Sequence, residues 1–267
     1  MQCNFILISL LQMYYLNQKT LFRITLLLFL FCSFLAFSQK KDSLQEKHDP
    51  LIASGNIQVT NNGISLFPNL MLGKPAAIIN LSVGKKSIFF EPELRWRLNG
   101  DPWSYIFWLR YRPKRKEYYS WHIGVHPSYV LRVSQVVVNG KTENRWISQR
   151  YFAAEFVPVW HHSPKFSLAL HLLASKGLDV YAIQKSIYLS IQPRFPIIKL
   201  SKHYNLGFFP QLFYLNLDNK KGIYYSQMLS FNRKNLPIYL TTNFTYKMKS
   251  TISGDRVVWN VGLNYRF

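Results

Sequence analysis

Val257-Val258-Trp259-Asn260-Val261-Gly262-Leu263-Asn264-Tyr265-Arg266-Phe267, the last eleven residues, alternates in character to its final position. Val257, Trp259, Val261, Leu263, Tyr265 and Phe267 share one parity and are apolar, whereas Val258, Asn260, Gly262, Asn264 and Arg266 share the other and are mostly small or polar. A period of two sends successive side chains to opposite faces of a strand, and about ten tilted residues cross a bilayer core. The segment therefore predicts a strand with one apolar face that ends on an aromatic ring.

The other end of the chain carries a different signal. Lys19 and Arg23 precede an apolar run from Ile24 to Phe37, and Ala36-Phe37-Ser38 forms a small-x-small site ahead of Gln39. This is the layout of a secretory signal peptide, with cleavage expected after Ser38. An uncleaved anchor is the competing reading, but the run falls short of the ~20 residues a spanning helix needs. Bulky Phe31 before Cys32 disfavours a lipoprotein signal. The expected organisation is a leader over 1–38, a polar periplasmic tail over 39–54 and one barrel domain over 55–267.

Cleavage changes what composition implies. Cys3 and Cys32 both leave with the leader, so disulfides and cysteine–metal sites are excluded from the mature chain. Loss of Lys19 and Arg23 lowers the formal charge only from +21 to +19. Beyond the leader no apolar run approaches the length of a membrane helix, which argues against a helical membrane protein. Basic residues are scattered among turns and strand ends without a recognition motif, so nucleic acid is not an expected partner.

Between Gln39 and Phe267 short segments recur with turn chemistry between them. Strands are expected over 55–71, 75–83, 87–98, 103–112, 118–132, 146–160, 166–175, 186–195, 204–216, 223–232, 237–249 and 256–267. Asn99-Gly100-Asp101, Asn139-Gly140 and Asp218-Asn219 are hairpin turns. An even antiparallel meander of about twelve strands, with ten or fourteen as alternatives, closes into an all-β up-and-down barrel without free edges.

Face alternation runs through the interior as well. In 87–98, Ile88, Phe90, Pro92, Leu94, Trp96 and Leu98 oppose Phe89, Glu91, Glu93, Arg95 and Arg97. In 118–132, Tyr119, Trp121, Ile123, Val125 and Tyr129 oppose Ser120, His122, Gly124, His126 and Ser128. Ile106 and Trp108 fall on the expected inner face, and 204–216 mixes aromatics on both faces, for which a bulge at Pro210 is one explanation. A soluble barrel or sandwich shows the same alternation with the apolar face inward. Trp103, Tyr105, Tyr118, Tyr119, Tyr224 and Tyr225, near segment ends, are expected in interfacial girdles.

Together, the terminal strand ending in Phe267 and the leader make the chain resemble the outer-membrane β-barrel proteins of Gram-negative bacteria. In that family the last strand is read by the barrel-assembly machinery, which the resemblance carries to Tyr265 and Phe267. It implies residence in the cell outer membrane, in contact with its lipid. At the level of strand number and a basic lumen, the chain also resembles the small twelve-stranded acid-sugar porins.

Inside such a barrel, Arg95, Arg97, Arg110, Arg112, Arg194, Lys247 and Arg266 are the candidates for an anion path, and Glu91, Glu93 and Glu155 for charge pairing. The turn at Asn99-Gly100-Asp101 is expected to bring Glu91 and Glu93 within about two residues of Arg110. Pairing would make these charges a structural filling; a surplus of Arg and Lys would favour anionic solutes. Trp160-His161-His162-Ser163-Pro164 is the one cluster resembling catalytic chemistry, but His162 and Ser163 point to opposite sides of an extended backbone. His122 and His126 stand about 13 Å apart along a strand, too far to share a metal ion. No catalytic residue, metal or cofactor is expected. The resulting expectation is a small-solute channel with anion preference. A closed accessory barrel of an envelope complex and a lipid-modifying enzyme are the alternatives.

Overall fold

The computed structural model describes residues 50–66, 71–138 and 141–267, and the leader and most of the polar tail lie outside them. Twelve strands follow one another: β1 (Ile52–Thr60), β2 (Ala76–Lys85), β3 (Ile88–Arg97), β4 (Pro102–Tyr111), β5 (Tyr119–Val138) and β6 (Lys141–Ser163) form the first half. The second comprises β7 (Phe166–Gly177), β8 (Lys185–Lys199), β9 (Tyr204–Leu217), β10 (Lys220–Arg233), β11 (Ile238–Ser250) and β12 (Val257–Arg266). Each pairs antiparallel with its sequence neighbours, and β1 pairs with β12, so the sheet closes into a barrel. No helix forms among the described residues.

The alternation in the sequence becomes a wall with its apolar side outward. On β12, Trp259 and Leu263 are 56% and 54% exposed, whereas Asn260 and Asn264 are 5% and 3% exposed. A barrel built for water would show the reverse. Closure pairs the strand edges internally, and an apolar exterior over a polar interior is the arrangement that hydrocarbon requires.

Closure itself depends on a missing side chain. Gly55 and Phe267 exchange backbone hydrogen bonds of 2.9 and 3.1 Å across the β1–β12 seam. The Phe267 ring, stacked 6.1 Å from Tyr265, covers Gly55 so closely that any Cβ there would collide with it. We expect Gly55→Val to expel the ring and to slow refolding into vesicles without altering the folded strand content; unchanged refolding kinetics would count against this seam.

Antiparallel order places β1's start, β12's end and the turns 86–87, 112–118, 164–165, 200–203 and 234–237 at one mouth, the near end. Residues 61–66, 71–75, 98–101, 178–184, 218–219 and 251–256 lie at the far end. There β5 and β6 outrun their neighbours: they pair as far as Val138↔Lys141, while β4 reaches Val130 and β7 stops at Tyr151. A two-stranded ribbon thus stands above the far rim. Its root is clasped by Asp179, whose carboxylate accepts bonds of 2.6 Å from the backbone N–H and Nη2 of Arg150. Those bonds hold the Asp179 carboxyl below its ordinary pKa.

Two expectations need correction. The first strand was expected over 55–71, but β1 ends at Thr60, and beyond it the chain turns inward, with Leu66 packed against the core. The register across Pro210 is unbroken against β10; the irregularity lies between Phe195 and Ile198 in β8. The mixed aromatics of β9 therefore have a simpler cause, because Phe213 belongs to a cluster inside the barrel.

Candidate lumen site

The lumen divides into two arcs. From β3 to β10 its middle is charged and aromatic; from β11 through β12 to β2 it is lined by amides and hydroxyls. Arg110 is the hub of the first arc. Its Nη1 donates to Glu91 Oε2 at 2.7 Å and its Nε to Glu155 Oε1 at 2.6 Å. Glu91 also accepts from Arg112 Nη2 at 2.7 Å and from Ser82 Oγ at 2.6 Å. Glu155 is reached by His122 Nε2 at 3.2 Å and His171 Nε2 at 3.0 Å.

Local sequence makes this crossing feasible. Gly124 lies beside the crossing, where a Cβ would come within 3.0 Å of both Arg110 Cγ and Glu155 Oε1. The Arg110 guanidinium rests 4.1 Å from the Trp108 ring centroid, and His126 packs edge-on to that ring at 4.1 Å. The aromatic series continues through His171, Tyr188, Phe213 and Tyr224, with the last two stacked at 4.9 Å. Cation–π contact and rigid rings hold the ladder in one geometry.

The second arc is a hydrogen-bond mesh. Tyr239 Oη donates to Asn56 Oδ1 at 2.9 Å, and Asn56 Nδ2 donates to Asn264 Oδ1 at 3.3 Å. Thr241 Oγ1 accepts from both Gln58 and Asn264 side chains, at 3.1 and 2.9 Å.

Above this middle layer the lumen turns apolar. Three far-end loops send Leu66, Ile183 and Ile252 inward against Trp108, Leu173, Tyr188, Phe213, Leu215, Leu217 and Tyr224. A cavity of about 180 Å³ remains between Leu66 and Ile183 above and Arg110, His126, Glu155 and His171 below. Below the layer the cavities are larger and mix polar with apolar side chains. One cavity of about 340 Å³ is lined by Asn56, Asn80, Ser82, Glu91, Arg110 and Arg266. Another of about 400 Å³ is lined by Gln192, Arg194, Phe209, Gln211, Ser226 and Asn243.

The seven cations read from the sequence thus have different surroundings. Arg110 and Arg112 share Glu91, Arg95 pairs with Glu93 on its own strand, and Arg97 reaches Asp101 at 3.4 Å beside the far-end turn. Lys247 donates to the Ile252 carbonyl at 3.1 Å and to that of Gly254, tying the last loop inward. Arg194 donates to Gln192 Oε1 at 2.7 Å, and Arg266 lies 4.9 Å over the Tyr239 ring. Among the described residues neither Arg194 nor Arg266 has a carboxylate within ion-pair distance.

Glu91 and Arg110 meet as expected, since Arg110 sits opposite Phe89, two residues from Glu91. Glu93 does not, because it stands opposite Ile106, four positions from Arg110. Ile106 and Trp108 do line the lumen. Trp103 and Tyr224, expected in the girdles, are interior: Trp103 is 3% and Tyr224 1% exposed. Trp103 falls beside a register shift in β3–β4 and packs with Ala76, Ile78 and Leu72. The sequence reading missed Ser82 and the linking of His122 to His171 through Glu155; same-parity polar residues on three adjacent strands are the signal that would have found the latter.

Ser163 Oγ accepts the backbone N–H groups of Lys165 and Phe166, at 3.2 and 3.1 Å, and is a turn residue. His162 packs on Trp160 and Phe166. A different pair, Ser120 Oγ and His161 Nε2, meets at 2.7 Å across β5–β6, facing the lumen. Among the described residues the charges that act on His161 are those of Arg115 and Arg194.

No family model matches the chain, and no curated protein does. Among solved structures it is similar to the KdgM porin, at 13% identity over 80% of this chain and 99% of that one, with a TM-score of 0.48. The NanC porin shares 8% identity over 79% and 98%, with a TM-score of 0.47. OmpT, an outer membrane protein of Vibrio cholerae, shares 7% identity over 85% and 100%, with a TM-score of 0.41.

Proposed function

We propose that this chain is an outer-membrane barrel that admits small anionic solutes from its near end into a vestibule. The observation that carries the reading is the pair of arginines, Arg194 and Arg266, that face the lower cavities without a carboxylate partner among the described residues. In a confined lumen an uncompensated guanidinium attracts anions and repels cations, while neighbouring Gln, Asn and Ser side chains supply replacement hydrogen bonds for a dehydrating solute. The ladder around Arg110 is charge-balanced and acts as a rigid partition rather than as the selective element. Passage across the whole barrel then requires the inward loops at the far end to yield.

The experiment is efflux from vesicles holding a small organic anion or a neutral solute of equal size. Wild-type protein is expected to release the anion faster, and Arg194→Gln/Arg266→Gln to bring the two rates to about equality. Equal rates in the wild type would contradict the anion reading.

A closed accessory barrel is the second reading, favoured by the apolar packing of Leu66, Ile183 and Ile252 across the upper lumen. It predicts no efflux of either solute from vesicles containing folded barrel.

A further inference from the structure

The turns at the two mouths of the barrel differ in charge. In the near-end turns 86–87, 112–118, 164–165, 200–203 and 234–237 there are eight Lys or Arg residues and a single acid, Glu117; one of the eight, Arg112, is bonded to Glu91 in the lumen, which leaves seven for the rim. The described far-end turns hold two cations, Lys74 and Arg256, against Asp101, Asp179, Asp218 and Asp255, and the lysines of that end, among them Lys141, Lys220, Lys221 and Lys249, lie on the strand termini among these acids. Every near-end turn contributes, so the charge encircles the mouth instead of forming a patch on one side. Lys114, Arg115, Lys116, Lys165, Lys202 and Lys234 are all exposed.

A second feature sets the depth of this collar. Just inside it on the outer wall lie Tyr111, Tyr119, Trp160, Tyr204, Phe231 and Tyr265, each between 38% and 48% exposed. Aromatic rings of this kind settle at the boundary between hydrocarbon and headgroups. Cations two to five residues beyond them, such as Lys202 beyond Tyr204, Lys116 beyond Tyr119, Lys234 beyond Phe231 and Lys165 beyond Trp160, stand towards the level of lipid phosphates, where Lys and Arg are attracted to an anionic surface.

We infer that the near-end collar is a binding surface for anionic phospholipid headgroups. The inference rests on the membrane reading above but not on the passage of solutes. A ring of side chains outside the wall, on turns from all round the barrel, meets a surrounding lipid annulus at many points at once. A compact soluble acidic protein would need only one sector of it, and the aromatic band beneath would be superfluous.

The test measures the selectivity of the first lipid shell in vesicles with spin-labelled phosphatidylglycerol and phosphatidylcholine, after insertion is verified by heat-modifiable migration. At about 50 mM salt the wild-type barrel is expected to retain phosphatidylglycerol about fivefold better, and at about 500 mM salt the preference should shrink towards one. The variant Lys114→Gln/Arg115→Gln/Lys116→Gln/Lys199→Gln/Lys202→Gln should lose most of it, whereas Lys141→Gln/Lys220→Gln/Lys221→Gln/Lys249→Gln at the far end should keep it. An inserted barrel without preference, or equal loss in both variants, overturns the proposal alone. A folded chain that stays out of vesicles overturns the membrane reading as well. Should the near-end variant fail to fold, the salt dependence of the wild type decides.

Discussion

Arg110→Ala is expected to destabilise the barrel by about 3 kcal/mol, near the low end of what breaking a buried ion pair costs because its side chain is 18% exposed. The loss is not that of one contact. Removing the guanidinium leaves Glu155, whose side chain is 2% exposed, with only its two imidazole partners, and leaves Glu91 with Arg112 and Ser82. It also uncovers the Trp108 face. Replacing both sides should cost less, so Arg110→Met/Glu155→Gln is expected to recover part of the loss, and the double-mutant difference reports the coupling. The readout is the urea midpoint of the refolded protein in detergent or vesicles, followed by tryptophan fluorescence. A single variant within about 0.5 kcal/mol of wild type would show that the ladder is not structural.

Val261→Arg places a charge at the centre of β12 on the outer wall and is expected to cost about 2–4 kcal/mol in a bilayer, the penalty for Arg at the midplane. The same substitution nearer the interface, at Tyr265, should cost at most about 1 kcal/mol. The contrast matters because Asn260, one residue from Val261, faces the mesh of the lumen, where its Nδ2 donates to the Asn62 carbonyl at 2.9 Å. Parallel unfolding in vesicles of the two outer-face variants tests whether depth, rather than burial in protein, sets the cost. Equal penalties at both positions would argue against a hydrocarbon belt.

Much of the barrel was legible because period-two alternation survives wherever a strand separates lipid from lumen. β12, β3 and the lower part of β5 each divide by parity, and the turns at 99–101 and 218–219 announced themselves through Asn, Gly and Asp. Gly100, at φ 90°, and the Asn99 Oδ1 that accepts the Asp101 N–H at 3.2 Å are the physical form of that signal. Legibility fails where the inner wall is itself apolar. Gly63 to Leu66 continues a strand-like pattern but folds inward, and Trp103 and Tyr224 look like girdle residues because nothing local distinguishes lipid from an apolar lumen. Partner choice inside the lumen was only half readable: register relates Glu91 to Arg110, but Arg95 captures Glu93 within its own strand. The contrast between the two mouths was visible only after topology assigned each turn to an end.

The most direct test of an anion-admitting barrel is the reversal potential of the refolded mature protein in a planar bilayer under a KCl gradient. Discrete conductance steps whose reversal potential lies on the chloride side of zero, moving towards zero when Arg194 and Arg266 are neutralised, are the predicted result. A potential on the potassium side, or a silent bilayer that contains folded barrel, would contradict it.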